Sequence, residues 1–160
     1  MKQAVAIDTN VPIIANGSES VPTACILACI LRLRQVRSKQ RVLLDTLGLI
    51  LAEYRRHLSP RGQPGLGDAF FKWLWDNQAN PQVCSQVEIT PMDGSFLEFP
   101  PDPNLSAFDP SDRKFVAVIL ASSACAPLLN ATDTDWWLFR EALGRHGVKI
   151  EFLCPALMTP

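Results

Sequence analysis

Positive charge is not in excess in this chain. Against 15 Lys and Arg stand 16 Asp and Glu, a net charge of −1. No global field therefore draws in nucleic acid, and a polyanion must be met by a local patch. Histidine is scarce: with only His57 and His146, a zinc site is poorly supplied. No uncharged apolar run reaches the roughly 18 residues of a membrane-spanning helix, so no membrane association is expected. Met1-Lys2-Gln3 leads into an apolar run too short, and too early broken by Asp8, for a secretory signal. The five cysteines (25, 29, 84, 125 and 154) are scattered and odd in number. Cys25 and Cys29 lie one helical turn apart on an apolar face, which reads as core packing ahead of a metal site. The expectation is a reduced, cytoplasmic protein. There is no internal repeat and no low-complexity tract.

What is present is an ordinary globular composition, 48% hydrophobic and 19% charged over 160 residues. That length reads as one domain, 1–160. Ala4-Val5-Ala6-Ile7 runs straight into Asp8-Thr9-Asn10. A short apolar run that ends in turn-formers reads as a buried strand of a parallel sheet, with Asp8 at its carboxyl end, where open α/β folds bind ligands. Val42-Leu43-Leu44-Asp45 repeats the pattern. Val83 to Ile89 and Pro127 to Ala131 read as a third and fourth strand, and Val148 to Leu153 as a short last one. Helices are expected over Val11–Asn16, Val21–Val36, Leu47–Leu58, Leu66–Asn77 and Arg113–Ser123, with a last one from Trp136 to Gly144. In the second of these, Ile26, Leu27, Ile30, Leu31 and Leu33 supply the apolar face; in the third, Leu47, Ile50, Leu51, Tyr54 and Leu58. Thr90 to Pro110 holds five prolines and no helical period. It reads as a loop insertion, a feature that is often functional, pinned by Phe96, Leu97 and Phe99.

Taken singly, each acid and cation has a local explanation. Asp45 fits a helix cap. Glu53 lies beside the apolar stripe of its helix, as a surface residue or at the rim of the Asp8 crevice. Asp109, Pro110 and Asp112 suit a helix start, so Asp112 reads as a cap or as a ligand. Asp133 and Asp135 follow the fourth strand as Asp8 follows the first. Arg32, Arg34, Arg37, Lys39 and Arg41 form the densest basic cluster, either a solvated helix end or a patch that tracks phosphates. Trp73 and Trp75 suit helix packing ahead of base stacking.

Together the acids say more. In a parallel sheet Asp8, Glu53, Asp112 and Asp133 can converge on one edge. Crowded carboxylates repel and need a cation to stay ionised. Hard oxygen ligands in that number suit Mg²⁺ or Mn²⁺, and such clusters usually serve phosphate-ester hydrolysis. Ile7-Asp8-Thr9-Asn10-Val11, Glu53-Tyr54, Ser111-Asp112-Arg113-Lys114-Phe115-Val116-Ala117 and Ala131-Thr132-Asp133-Thr134-Asp135-Trp136, in this order, resemble the PIN-domain nucleases over nearly the whole chain. The resemblance implies an α/β fold: three layers, α/β/α, around a mostly parallel sheet of about five strands. It also implies Mg²⁺- or Mn²⁺-dependent cleavage of RNA, often single-stranded. Asp8, Glu53, Asp112 and Asp133 would hold metal with Asp135 auxiliary, and Thr9 and Asn10 would order the first acid. The 90–110 insertion and the doubled Asp133/Asp135 depart from the family pattern.

Phosphate contacts are expected from Arg113 and Lys114 first, then Arg32, Arg34 and Arg37, because an acidic site must offset repulsion from RNA locally. Many bacterial relatives are toxins held by a small antitoxin protein. An antitoxin and a homodimer stay open here. A second reading is a catalytically silent module that binds RNA or protein. A phosphatase of the haloacid-dehalogenase type needs a second acid two positions after the first, and position 10 is Asn.

Overall fold

The apolar runs that end in acids form the middle of a sheet. The computed structural model describes residues 2–18 and 20–159. In chain order, β1 (Ala4–Ile7), α1 (Asn10–Ala15), α2 (Thr23–Lys39) and β2 (Arg41–Asp45) make the first unit. Next come α3 (Leu49–His57), α4 (Leu66–Asp76), β3 (Cys84–Val87) and two short strands, β4 (Pro91–Met92) and β5 (Ser95–Phe96). The last part is α5 (Arg113–Ala121), β6 (Leu128–Asn130), α6 (Thr134–Leu138), α7 (Arg140–Arg145) and β7 (Ile150–Phe152).

The main sheet has five parallel strands in the order β3-β2-β1-β6-β7. Helices flank it, giving the three-layer α/β/α fold that was expected. β1 is central because it is apolar throughout; Val5, Ala6 and Ile7 are fully buried. After β1 the chain builds outward through β2 to β3, then returns to lay β6 on the other side. The strand order thus reverses beside β1. In open α/β sheets the crevice outside the strand ends at such a reversal is where ligands bind.

Local chemistry explains the element ends. Asp45 caps α3, its carboxylate accepting from the N–H groups of Leu49 and Ile50 at 2.9 and 2.8 Å. Asp109 accepts from Ser111 N–H at 2.9 Å, which starts the turn before α5. The Tyr54 hydroxyl donates to the Ile7 carbonyl, fixing α3 against the end of β1. Among the described residues, no helix is long and apolar enough to cross a membrane.

Several expectations change. The buried face of α2 is Cys25, Cys29, Leu33 and Val36, while Leu27 and Leu31 are exposed. Leu47 is exposed too, because the chain turns at Gly48 before α3 begins. Cys25 is bonded to Cys154 across 129 residues, where the sequence reading has only reduced thiols. The last helix is two short ones, broken at Phe139. The 90–110 insertion is not a structureless loop. Asp93 and Gly94, both at positive φ, make the tight turn of an antiparallel hairpin of β4 and β5; Asp-Gly is the dipeptide such turns favour. Leu97 does not pin the segment, being exposed, whereas Leu105 and Phe108 are fully buried and do. Phe108 packs against Phe99, Trp136 and Phe139, and Asp102 pairs with His146 at 2.9 Å.

Candidate metal centre

Asp8 follows the last residue of β1. Its backbone N–H bonds the Leu129 carbonyl of β6 at 3.0 Å, so the two strand ends are held level. One carboxylate oxygen accepts from Asn10 N–H at 3.1 Å, the other from the Trp136 indole N–H at 2.5 Å. Asn10 in turn ties β1 to β6. Its amide donates to the Asn130 side chain at 2.9 Å, and its oxygen accepts from Ala131 and Thr132 N–H at 2.8 and 3.3 Å. Asn130, fully buried, bonds Asp133 at both backbone atoms. Asp133 accepts from Asp135 N–H at 2.9 Å, the cap of α6. The third acid, Asp112, stands at the start of α5 and makes no side-chain cap bond. The capping reading of Asp112 therefore falls away; Asp109 caps only the short turn ahead of α5.

These three carboxylates converge. Asp8, Asp112 and Asp133 each offer an oxygen, and the three oxygens lie within 4.8 Å of one another. Among the described residues, no basic side chain forms an ion pair with any of them. Burial pushes the Asp8 carboxyl up to about 6, with repulsion from Asp133 and Glu53 adding to it and its two hydrogen bonds opposing it. Burial, then the charges of Asp8 and Asp133, push Asp112 up to about 9. Asp135 is raised as well, by partial burial and by Asp133; it sits outside the trio. The Tyr54 hydroxyl is held well above its ordinary value by burial and by the charges of Asp8 and Glu53, so it stays a donor.

Glu53 is not one of the trio. Its carboxylate is buried, accepts from the Thr9 hydroxyl, and is paired with the Lys114 ammonium at 2.6 Å. Thr9 thus orders Glu53, not Asp8. Lys114 is also buried and donates to the Ser111 carbonyl, so it is not free to meet a phosphate. Arg113 is spent on the insertion: it donates to the carbonyls of Ser106 and Phe108 at 3.0 Å and lies over the Phe99 ring. Arg32 pairs with Glu151 at 2.6 Å. Arg34 and Arg37 are exposed but face a small cavity against α4, and Arg37 lies over Trp73. None of the five expected phosphate contacts is paired with Asp8, Asp112 or Asp133. Trp73 and Trp75 pack on Phe70 and Phe71.

Sequence reasoning missed Trp136 and Asn130. A signal for Asn130 existed: it is the only polar residue in Pro127-Leu128-Leu129-Asn130-Ala131. A buried polar residue must find partners, and Asn10 opposite is the natural one.

A pH dependence follows. The raised Asp8 and Asp112 carboxyls hold protons in the folded chain that the unfolded chain releases near pH 4. The native state binds more protons, so stability falls as pH rises. The Asp8 contribution is lost by about pH 6 and the Asp112 contribution by about pH 9. Melting temperatures of the cation-free protein should fall steadily from pH 5 to pH 9. Mn²⁺ should recover most at the alkaline end, because it takes the place of those protons. A melting temperature that rises over this range would remove the crowding.

No family model, curated protein or solved structure matches this chain.

Proposed function

We propose that the chain is a Mg²⁺- or Mn²⁺-dependent endoribonuclease of the PIN-domain type, hydrolysing phosphodiester bonds of single-stranded or structured RNA. The observation that carries this reading is the trio of Asp8, Asp112 and Asp133 without a basic partner, at the point where the strand order reverses. The donor set fits a hard divalent cation: oxygen ligands only, and a negative charge that no protein cation offsets. A bound cation of this kind supplies Lewis acidity and a water of lowered pKa. The chain's own residues hold and orient the ligands. Trp136 and Asn10 aim the two oxygens of Asp8, Asn130 fixes the turn that carries Asp133, and α5 presents Asp112. The Glu53–Lys114 pair stands beside the trio, so Glu53 is a wall of the site and not a fourth ligand.

The basic cluster of α2 is turned to Glu151 and to α4, and leaves the choice of RNA to other surfaces. An antitoxin partner and a homodimer remain parts of the family reading alone. In the cytoplasm, Cys25 and Cys154 would be held as thiols.

The Glu53–Lys114 pair also favours a second reading, a catalytically silent RNA-binding or protein-interaction module, because one family acid is already neutralised. A cleavage assay separates the two. Unstructured RNA should be cut in Mn²⁺ and left whole in chelator. Binding without cutting, at any Mn²⁺ concentration, would establish the silent module.

A further inference from the structure

A cavity of about 710 Å³ lies between α3, the β4–β5 hairpin and the start of α5. Its volume is that of an ordinary small-molecule site. It adjoins the carboxylates: Ser111 and Lys114, both lining it, bracket Asp112 in the chain, and Lys114 reaches through to Glu53. Much of its wall is apolar, with Leu49, Met92 and Phe96 on it; Leu49 and Met92 are exposed. One mostly exposed cation, only loosely paired, stands at its edge. Arg56 has a side chain 71% exposed, and its closest acid is Glu53 at 3.9 Å, whose carboxylate Lys114 already holds. The hairpin wall is held in place. Leu97 N–H bonds the Thr90 carbonyl at 2.8 Å, and Thr90 N–H bonds Glu98 at 2.7 Å.

We propose that this cavity is a nucleotide subsite. It seats the nucleotide next to the phosphodiester held at Asp8, Asp112 and Asp133, with the base on Met92, Phe96 and Leu49 and a phosphate on Arg56. This rests on the ribonuclease reading. A nucleotide fits because it is the one unit of an RNA strand that is flat and apolar-faced at one end and anionic at the other. The cavity has that same division: its described lining holds two cations, Lys114 bound tightly to Glu53 at 2.6 Å and Arg56 held to it only loosely at 3.9 Å. The subsite also supplies what the expected basic residues do not, a positive charge beside an acidic centre.

Two measurements on the whole protein test it. In RNA cleavage, Arg56→Ala and Met92→Ala, each at an exposed position, should raise KM about tenfold, more than either lowers kcat. Arg56→Lys should recover part of the Arg56→Ala loss, because the charge remains. Separately, adenosine 5′-monophosphate at millimolar concentration, without divalent cation, should shift the backbone amide resonances of Ala52, Arg56, Gly94 and Ser95. If the wild type cleaves RNA and neither substitution moves KM, the subsite is overturned while the nuclease stands. If the wild type does not cleave but the nucleotide moves those amides, the nuclease reading falls while the cavity still stands as a nucleotide site, without a scissile bond beside it. No shift at those amides, or shifts elsewhere only, overturns the subsite whatever the cleavage shows.

Discussion

Asp112→Asn should raise the melting temperature of the cation-free protein near neutral pH, and at the same time abolish most RNA cleavage. Asp112 is buried, crowded by Asp8 and Asp133, and pushed up to about 9. At pH 7 the folded chain must therefore keep a proton there that the unfolded chain gives up. Asn has the same outline and no proton to keep, and its amide can donate to the neighbouring carboxylates. A gain of about 1–2 kcal/mol is a rise of roughly 2–8 °C in a chain of this size. Asn carries no charge for a divalent cation, so Mn²⁺ should protect the variant much less than the wild type. Cleavage should fall by orders of magnitude. A variant that melts lower in both conditions would mean that the Asp112 carboxylate makes a structural contact, and the crowding argument would fail.

Lys114→Met should have the opposite effect on stability. Lys114 and Glu53 have side chains only 10% and 11% exposed. Removing the cation leaves a buried carboxylate with the Thr9 hydroxyl and, at 3.9 Å, the exposed Arg56. Breaking one partner of such a pair costs about 3–5 kcal/mol, which corresponds to a fall of roughly 10 °C or more at this length. Most of that loss is the stranded charge and not the missing attraction. The double variant Glu53→Gln with Lys114→Met should therefore melt well above Lys114→Met alone. If the double variant is no better than the single one, Lys114 acts by packing and by its bond to Ser111, and the ion pair is incidental.

Much of this architecture is legible in the chain itself. Short apolar runs stopped by an acid or an amide mark β1, β2 and β6, and their shared pattern implies a parallel sheet with Asp8 and Asp133 at one edge. Asp45 and Asp109 as caps follow from local hydrogen-bonding need. What fails is the pairing of long side chains. Lys114 neighbours Asp112 in sequence and so suggests a cation waiting at the site. On α5 it turns instead to Glu53, 61 residues away, because a buried carboxylate needs a partner more than solvent needs a lysine. Arg113 is absorbed in the same way by bare carbonyls of the insertion. Glu53 lies close enough to raise the Asp8 carboxyl, but its own carboxylate is paired with Lys114 and stands outside the trio. The Cys25–Cys154 bond joins residues 129 apart, a separation that no spacing rule addresses. Nor does the helical pattern predict that α2 buries Cys25 and Cys29 in place of Leu27 and Leu31. That choice is made by the packing of α2 on α1 and α4.

The central claim is that Asp8, Asp112 and Asp133 form one cation site. It is tested most directly by Mn²⁺ titration of the purified chain, followed by electron paramagnetic resonance of the free ion. The wild type should remove one Mn²⁺ per chain from solution. Asp8→Asn, Asp112→Asn and Asp133→Asn should each bind far more weakly, and Asp135→Asn nearly as well as wild type. Unchanged Mn²⁺ binding in all three trio variants, with each of them folded, would contradict the site and the function built on it.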